Sequence, residues 1–191
     1  MLLVLEGLKP VCDIELYNPD RSAYQNETSY QEWNREYQNT VSKLEELLKK
    51  FSLPYSLTFH KKDDRDDEPR YEVAIFLVGK DEASLQALLD SDSAEEAGHA
   101  FGMPDTAVSA YVDSKIKNRE TLPSEVLSSD YIHFLDFRLS EDHWQEELES
   151  VKRRAEEVKR LTPDLYEKII FEGKNSKKSI GVWKEVTENI T

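Results

Sequence analysis

Seven residues, Tyr30, Trp33, Tyr37, Val41, Leu44, Leu48 and Phe51, recur at steps of three and four. That spacing predicts one long amphipathic helix with a single apolar stripe and Glu, Lys and Gln on its other face. Such a helix draws its stability from the surface it packs on, so the rest of the chain must supply an apolar partner. The aromatic first half of the stripe would suit a ligand box. Packing on a sheet is the simpler reading.

The sheet is sought in short β-favouring runs. Segments near 2–17, 53–59, 71–78 and 131–137 read as strands, the first ending at the turn Asn18-Pro19-Asp20 and followed by a polar loop to residue 29. Val73-Ala74-Ile75-Phe76-Leu77-Val78 is apolar on both faces, as expected of a central strand. Asp81 is placed to cap a helix carrying Leu85, Leu88 and Leu89, and Asp92-Ser93-Ala94-Glu95 reads as a capping box for a second short helix. Trp144, Leu148, Val151, Ala155 and Val158 form another stripe, entered through Ser140 as its cap. Thr162-Pro163-Asp164 stops that helix and starts the next, which Gly173 should end. Ile180 to Val186 reads as a final strand or an ordered tail. The expected fold class is α+β: a small mixed or antiparallel sheet covered on one face by long amphipathic helices. A single domain over 1–191 is expected, with a strand-helix-hairpin half at 1–80, a mainly helical half at 81–171 and a C-terminal strand or tail at 172–191.

Charge and cysteine usage narrow the function. The chain of 191 residues carries a formal net charge of −14. Such a surface repels nucleic-acid phosphates and anionic lipid, so neither nucleic acid nor a membrane is an expected partner. Cys12 is the lone cysteine, which excludes an internal disulfide and suits a small core residue. The first residues show no basic region and only a brief apolar run. The sequons Asn26-Glu27-Thr28 and Asn189-Ile190-Thr191 then stand as chance matches, and a cytoplasmic location is expected.

Motifs for chemistry are sparse. Gly98-x-x-x-Gly102 lacks the Lys-Ser/Thr of a phosphate-binding loop, and neither a nucleophile elbow nor His-Glu-x-x-His occurs. The run Lys61 to Arg70 holds five carboxylates within Asp63–Glu68. A divalent-cation loop is one reading of it, but the central glycine and spaced ligands of an EF-hand are missing. A solvated hairpin loop is the default. A metal site from His99, His133, Asp136 and His143 would require those residues to converge through folding, because no local spacing supports it.

Two blocks carry a resemblance. Gly98-His99-Ala100-Phe101-Gly102-Met103-Pro104-Asp105-Thr106-Ala107 follows an acidic helix, and Asp136-Phe137-Arg138-Leu139-Ser140-Glu141-Asp142-His143 leads into a long helix and then Thr162-Pro163-Asp164-Leu165-Tyr166. The segment from about Asp81 to Phe171 resembles an archaeal cysteine-rich family of unknown function. Its hallmarks run Gly-x-x-x-Gly-Tyr-Pro-x-Cys-Cys, then His-x-Pro-Cys-Ser-x-x-Cys, then Asp-Pro-x-Leu-Tyr. Here Gly98, Gly102, Pro104, Ser140 and Pro163 keep the frame. Met103 replaces the tyrosine, Thr106 and Ala107 stand at the cysteine pair, and His143 stands at the last cysteine. The resemblance therefore implies a retained scaffold without the family's cysteine site and without a cofactor held through it.

The expected function is a non-enzymatic protein-interaction or scaffold module, with a protein partner or a second copy of the chain bound through the exposed ends of the 30–51 helix or the Trp144 helix. The alternative is an enzyme with a His/carboxylate site built from the Gly98–Asp105 joint and the His133–His143 region, using His99, Ser140, Asp142 and His143. Helix N-termini at Pro104 and Ser140 would then face an anion.

Overall fold

The computed structural model describes residues 1–7, 9–19, 26–62 and 71–175. The acidic run at 63–68 and the final strand expected near 180–186 lie outside the described residues.

Among the described residues the sheet is antiparallel and three-stranded, in the order β1-β3-β2, from β1 (Val11–Pro19), β2 (Tyr55–Lys62) and β3 (Tyr71–Gly79). As its two-sided apolar pattern requires, β3 is central. Alternation places Cys12, Ile14, Leu16, Ala74, Phe76 and Val78 on one face, all buried. Helix α2 (Glu27–Lys50) covers that face with Tyr37, Val41, Leu44 and Leu48. Asn26 starts α2 early, its side chain accepting from Ser29 N at 2.9 Å. The helix thus begins within the stretch expected as polar loop to residue 29.

The remaining elements build a second core. Helices α3 (Glu82–Leu89), α4 (Ala94–Ala100), α5 (Asp105–Val112) and α6 (Ser124–Leu127) lead to a 3-10 segment, Asp130–Phe134, then α7 (Trp144–Leu161) and α8 (Pro163–Asn175). Leu148, Val151, Ala155 and Val158 of α7 meet Tyr166, Ile169 and Ile170 of α8 and Ile132 and Phe134 of the 3-10 segment. Phe134 stacks on Tyr166 with ring centroids 5.5 Å apart.

Four expectations are corrected. Residues 2–17 are not one strand: Leu2–Leu5 form a helical turn, α1, and Gly7 takes φ +70 before β1 begins. Consecutive residues of α1 then serve different cores, Leu3 the helical one and Val4 the sheet one. Residues 131–137 are not a strand. Leu135 N bonds Ile132 O, an i→i+3 closure that puts Ile132 and Phe134 inward without a partner strand. The box at 92–95 shifts by one residue. Ser93 is the cap, accepting from Glu96 N, while the Glu96 carboxylate reaches back to Asp92 N. Gly173 does not end α8; it lies inside it, because a Cβ there would meet His133 Nδ1 at 2.2 Å.

Candidate functional site

The first hallmark block is a helix–turn–helix joint. Gly102 takes φ +71, which glycine adopts at little expense, and closes α4 through Met103 N to Gly98 O at 3.1 Å. A Cβ on Gly98 would meet Val108 Cγ2 at 2.8 Å, so its missing side chain lets α4 and α5 approach closely. Pro104 stands as the N-cap of α5, and Asp105 opens the helix.

The second block reaches the first through one carboxylate. Ser140 pairs with Ile116 in an isolated bridge, and its Oγ accepts from His143 N at 2.9 Å. Ser140 thus closes the turn that precedes α7, while His143 occupies the formal cap position. Glu147, in the first turn of α7, is only 2 % exposed. Its Oε2 accepts from Ser140 N at 2.8 Å and its Oε1 from the Thr106 hydroxyl at 2.6 Å. Thr106 and Ser140, drawn from the two hallmark blocks, therefore converge on one buried acid. Two donors and the positive end of the α7 dipole stabilise that carboxylate in place of a cation. Ala107, beside Thr106, is buried in the helical core.

The candidate histidines are dispersed by their partners. His99 Nδ1 lies 3.2 Å from the exposed carboxylate of Asp105, and His143 Nδ1 lies 3.6 Å from Glu146. His133 rests in the notch left by Gly173. Burial, then the charges of Arg119 and Lys174, hold its pKa below 6.5. Asp142 is exposed on the turn before α7. Among the described residues no group of three or more His, Cys, Asp or Glu is placed to hold a metal ion.

Asp136 belongs to a different arrangement. Its side chain is 9 % exposed between Lys9 Nζ, 2.5 Å from Oδ2, and Arg154 Nη1, 2.6 Å from Oδ1. Burial alone would raise the Asp136 pKa, but Lys9 and Arg154 outweigh it and hold the carboxyl below its ordinary value. Arg154 also stacks over Phe137, and Lys9 faces the Phe101 ring. The triad ties the segment before β1 to α7.

Glu147, Arg154 and Lys9 were missed as candidates. Glu147 and Arg154 stand four before and three after Val151, inside the arc that the α7 stripe buries, so the helical period carried a signal for both. Lys9 had none, since its partners are distant in sequence.

Comparison with protein-family models, with curated proteins and with solved structures returns no match. No described helix is long and apolar enough to cross a membrane.

Proposed function

We propose that this chain is a non-enzymatic interaction module built on the scaffold of the archaeal cysteine-rich family, with a hydrogen-bonded junction in place of the cysteine site. The observation that carries this reading is the convergence of Thr106 and Ser140 on Glu147. The hallmark stretches meet in space, and the groups at the meeting point hold each other. Both carboxylate oxygens of Glu147 accept internal hydrogen bonds, and the acid is closed off from solvent. A general base needs access to a substrate proton, which this geometry withholds. The alternative enzyme reading would need His99 and His143 to act together, whereas each faces its own carboxylate. The nearby Lys117 lies 5.5 Å from the Trp144 ring centroid, and Trp144 packs partly into the core. That leaves the sheet half as the favoured contact region.

The test is elemental analysis of untagged protein purified without chelator, read together with its circular dichroism. A folded, metal-free protein is expected. Stoichiometric zinc or iron would overturn the reading and bring the enzyme alternative forward.

A further inference from the structure

We infer that His133 and Gly173 form a pH-sensitive latch for the last turn of α8, seated while the imidazole is neutral and loosened when the ring takes up a proton. The inference stands apart from the interaction reading above. Its basis is a ring set against backbone. Gly173 is buried in the last turn of α8. A Cβ there would collide with His133 Nδ1 and stand 2.6 Å from Cγ and 2.8 Å from Cε1. The half-buried imidazole therefore occupies the place of a missing side chain, directly on the α8 backbone. Glycine is a poor helix former, and the seat it leaves for the ring offsets that.

The charges around the ring come from three elements. Arg119, in the 3-10 segment Arg119–Thr121, and Lys174 of α8 both oppose a further positive charge. Asp130, at the start of the ring's own segment, favours one, but its Oδ1 already lies 2.8 Å from Lys174 Nζ. Glu167 of α8 acts on Tyr166 and Lys174. On α7, Lys152 stands over the Tyr131 ring and pairs with Glu149. The carbonyl end of α8 attracts a cation; burial of the ring and the two neighbouring cations work against it.

The sign of the response follows. With the folded-state pKa of His133 below 6.5, the seated turn keeps its full stability above that value and loses it as pH falls through the lower, folded one. Ile170 stands one turn before Gly173 and is 6 % exposed within the helical core. Loosening the end of α8 therefore uncovers apolar surface in mild acid.

NMR titration of the full chain tests this, with amide exchange corrected for its intrinsic pH dependence. The His133 imidazole, assigned through its bonds to the backbone, is expected to titrate below 6.5. Between about pH 7.5 and about pH 5 the Glu172 to Asn175 amides should lose about twofold or more in protection, a modest change because the ring is only half-buried. The amides of Val151 to Val158 in α7 should keep theirs. His133→Gln should abolish that pH dependence. Gly173→Ala should displace the ring and bring its titration back toward 6.5, although alanine is the better helix former. An imidazole that titrates at or above 6.5 overturns the proposal, as does a last turn whose protection is absent at neutral pH or unchanged in acid. A glutamine variant that keeps the wild-type pH dependence overturns it too. The titration and exchange are read on the wild-type chain, so a variant that fails to fold leaves the test intact.

Discussion

The two halves of the molecule hold themselves together by different means. The sheet half closes a continuous apolar layer, with Phe76 and Leu48 fully buried between β3 and α2. The helical half has an apolar centre too, but its joints are ionic and polar: Asp136 between Lys9 and Arg154, and Glu147 between Thr106 and Ser140. Apolar burial is non-directional and insensitive to pH. A buried acid is directional, and its contribution depends on its protonation state. The first half should therefore respond to lost volume, and the second to lost partners and to acid.

The largest effects should come from one substitution in each half. Phe76→Ala removes a fully buried ring and is expected to destabilise by about 3–5 kcal/mol, with little dependence on pH. Asp136→Ala leaves Lys9 and Arg154 buried without their anion, and a loss of about 3–5 kcal/mol is expected at neutral pH. The pH dependence separates the two. The folded-state pKa of Asp136 lies below 3.8. Its stabilisation is therefore present above that value and lost as pH falls through the lower, folded one. Urea titrations at several pH values should show the Asp136→Ala deficit shrinking in acid while the Phe76→Ala deficit persists. Equal pH dependence in both would break the distinction.

A smaller effect is expected at the hallmark junction. Thr106→Val keeps the volume but deprives the buried Glu147 of one donor, a change expected to cost about 1–3 kcal/mol in a melt at neutral pH. Thr106→Ser keeps the hydroxyl and should recover most of that loss. If the valine variant were as stable as the wild type, the junction would not hold the two blocks together.

Legibility in the sequence follows the same division. The stripe from Tyr37 to Leu48, the central position of β3 and the Pro163 helix start all rest on local periods or local stereochemistry, and these are written in neighbouring residues. The segment at 131–137 misled because Ile132 and Phe134 alternate as a strand would, while a 3-10 turn anchored on α7 and α8 can bury the same two side chains. Gly173 misled in the opposite way. Its reason is His133, forty residues upstream, and not the helix end. The partners of Asp136 and Glu147 are likewise set by tertiary approach. The blocks at 98–107 and 136–143 are visible in the sequence, but not that one acid joins them.

The smallest effect belongs to a polar atom in the sheet half. The Tyr37 hydroxyl is buried beside the Glu72 carboxylate and the Ala74 backbone, without a hydrogen bond of ordinary geometry. Burial first, and then the nearby charge of Glu72, push its pKa up to about 12, so it is neutral throughout the ordinary range and binds no proton differently on folding there. Removing a buried hydroxyl that makes no hydrogen bond of ordinary geometry takes away a desolvated group and only a weak interaction with Glu72 and Ala74. Tyr37→Phe should therefore leave stability within about 0.5 kcal/mol of the wild type or raise it slightly. Set beside Thr106→Val, this gives the most direct comparison of the halves, because both substitutions delete one hydroxyl from a tightly packed site. A substantial loss for Tyr37→Phe would mean that the α2 face of the sheet also depends on a specific polar contact, and the apolar account of that half would fail.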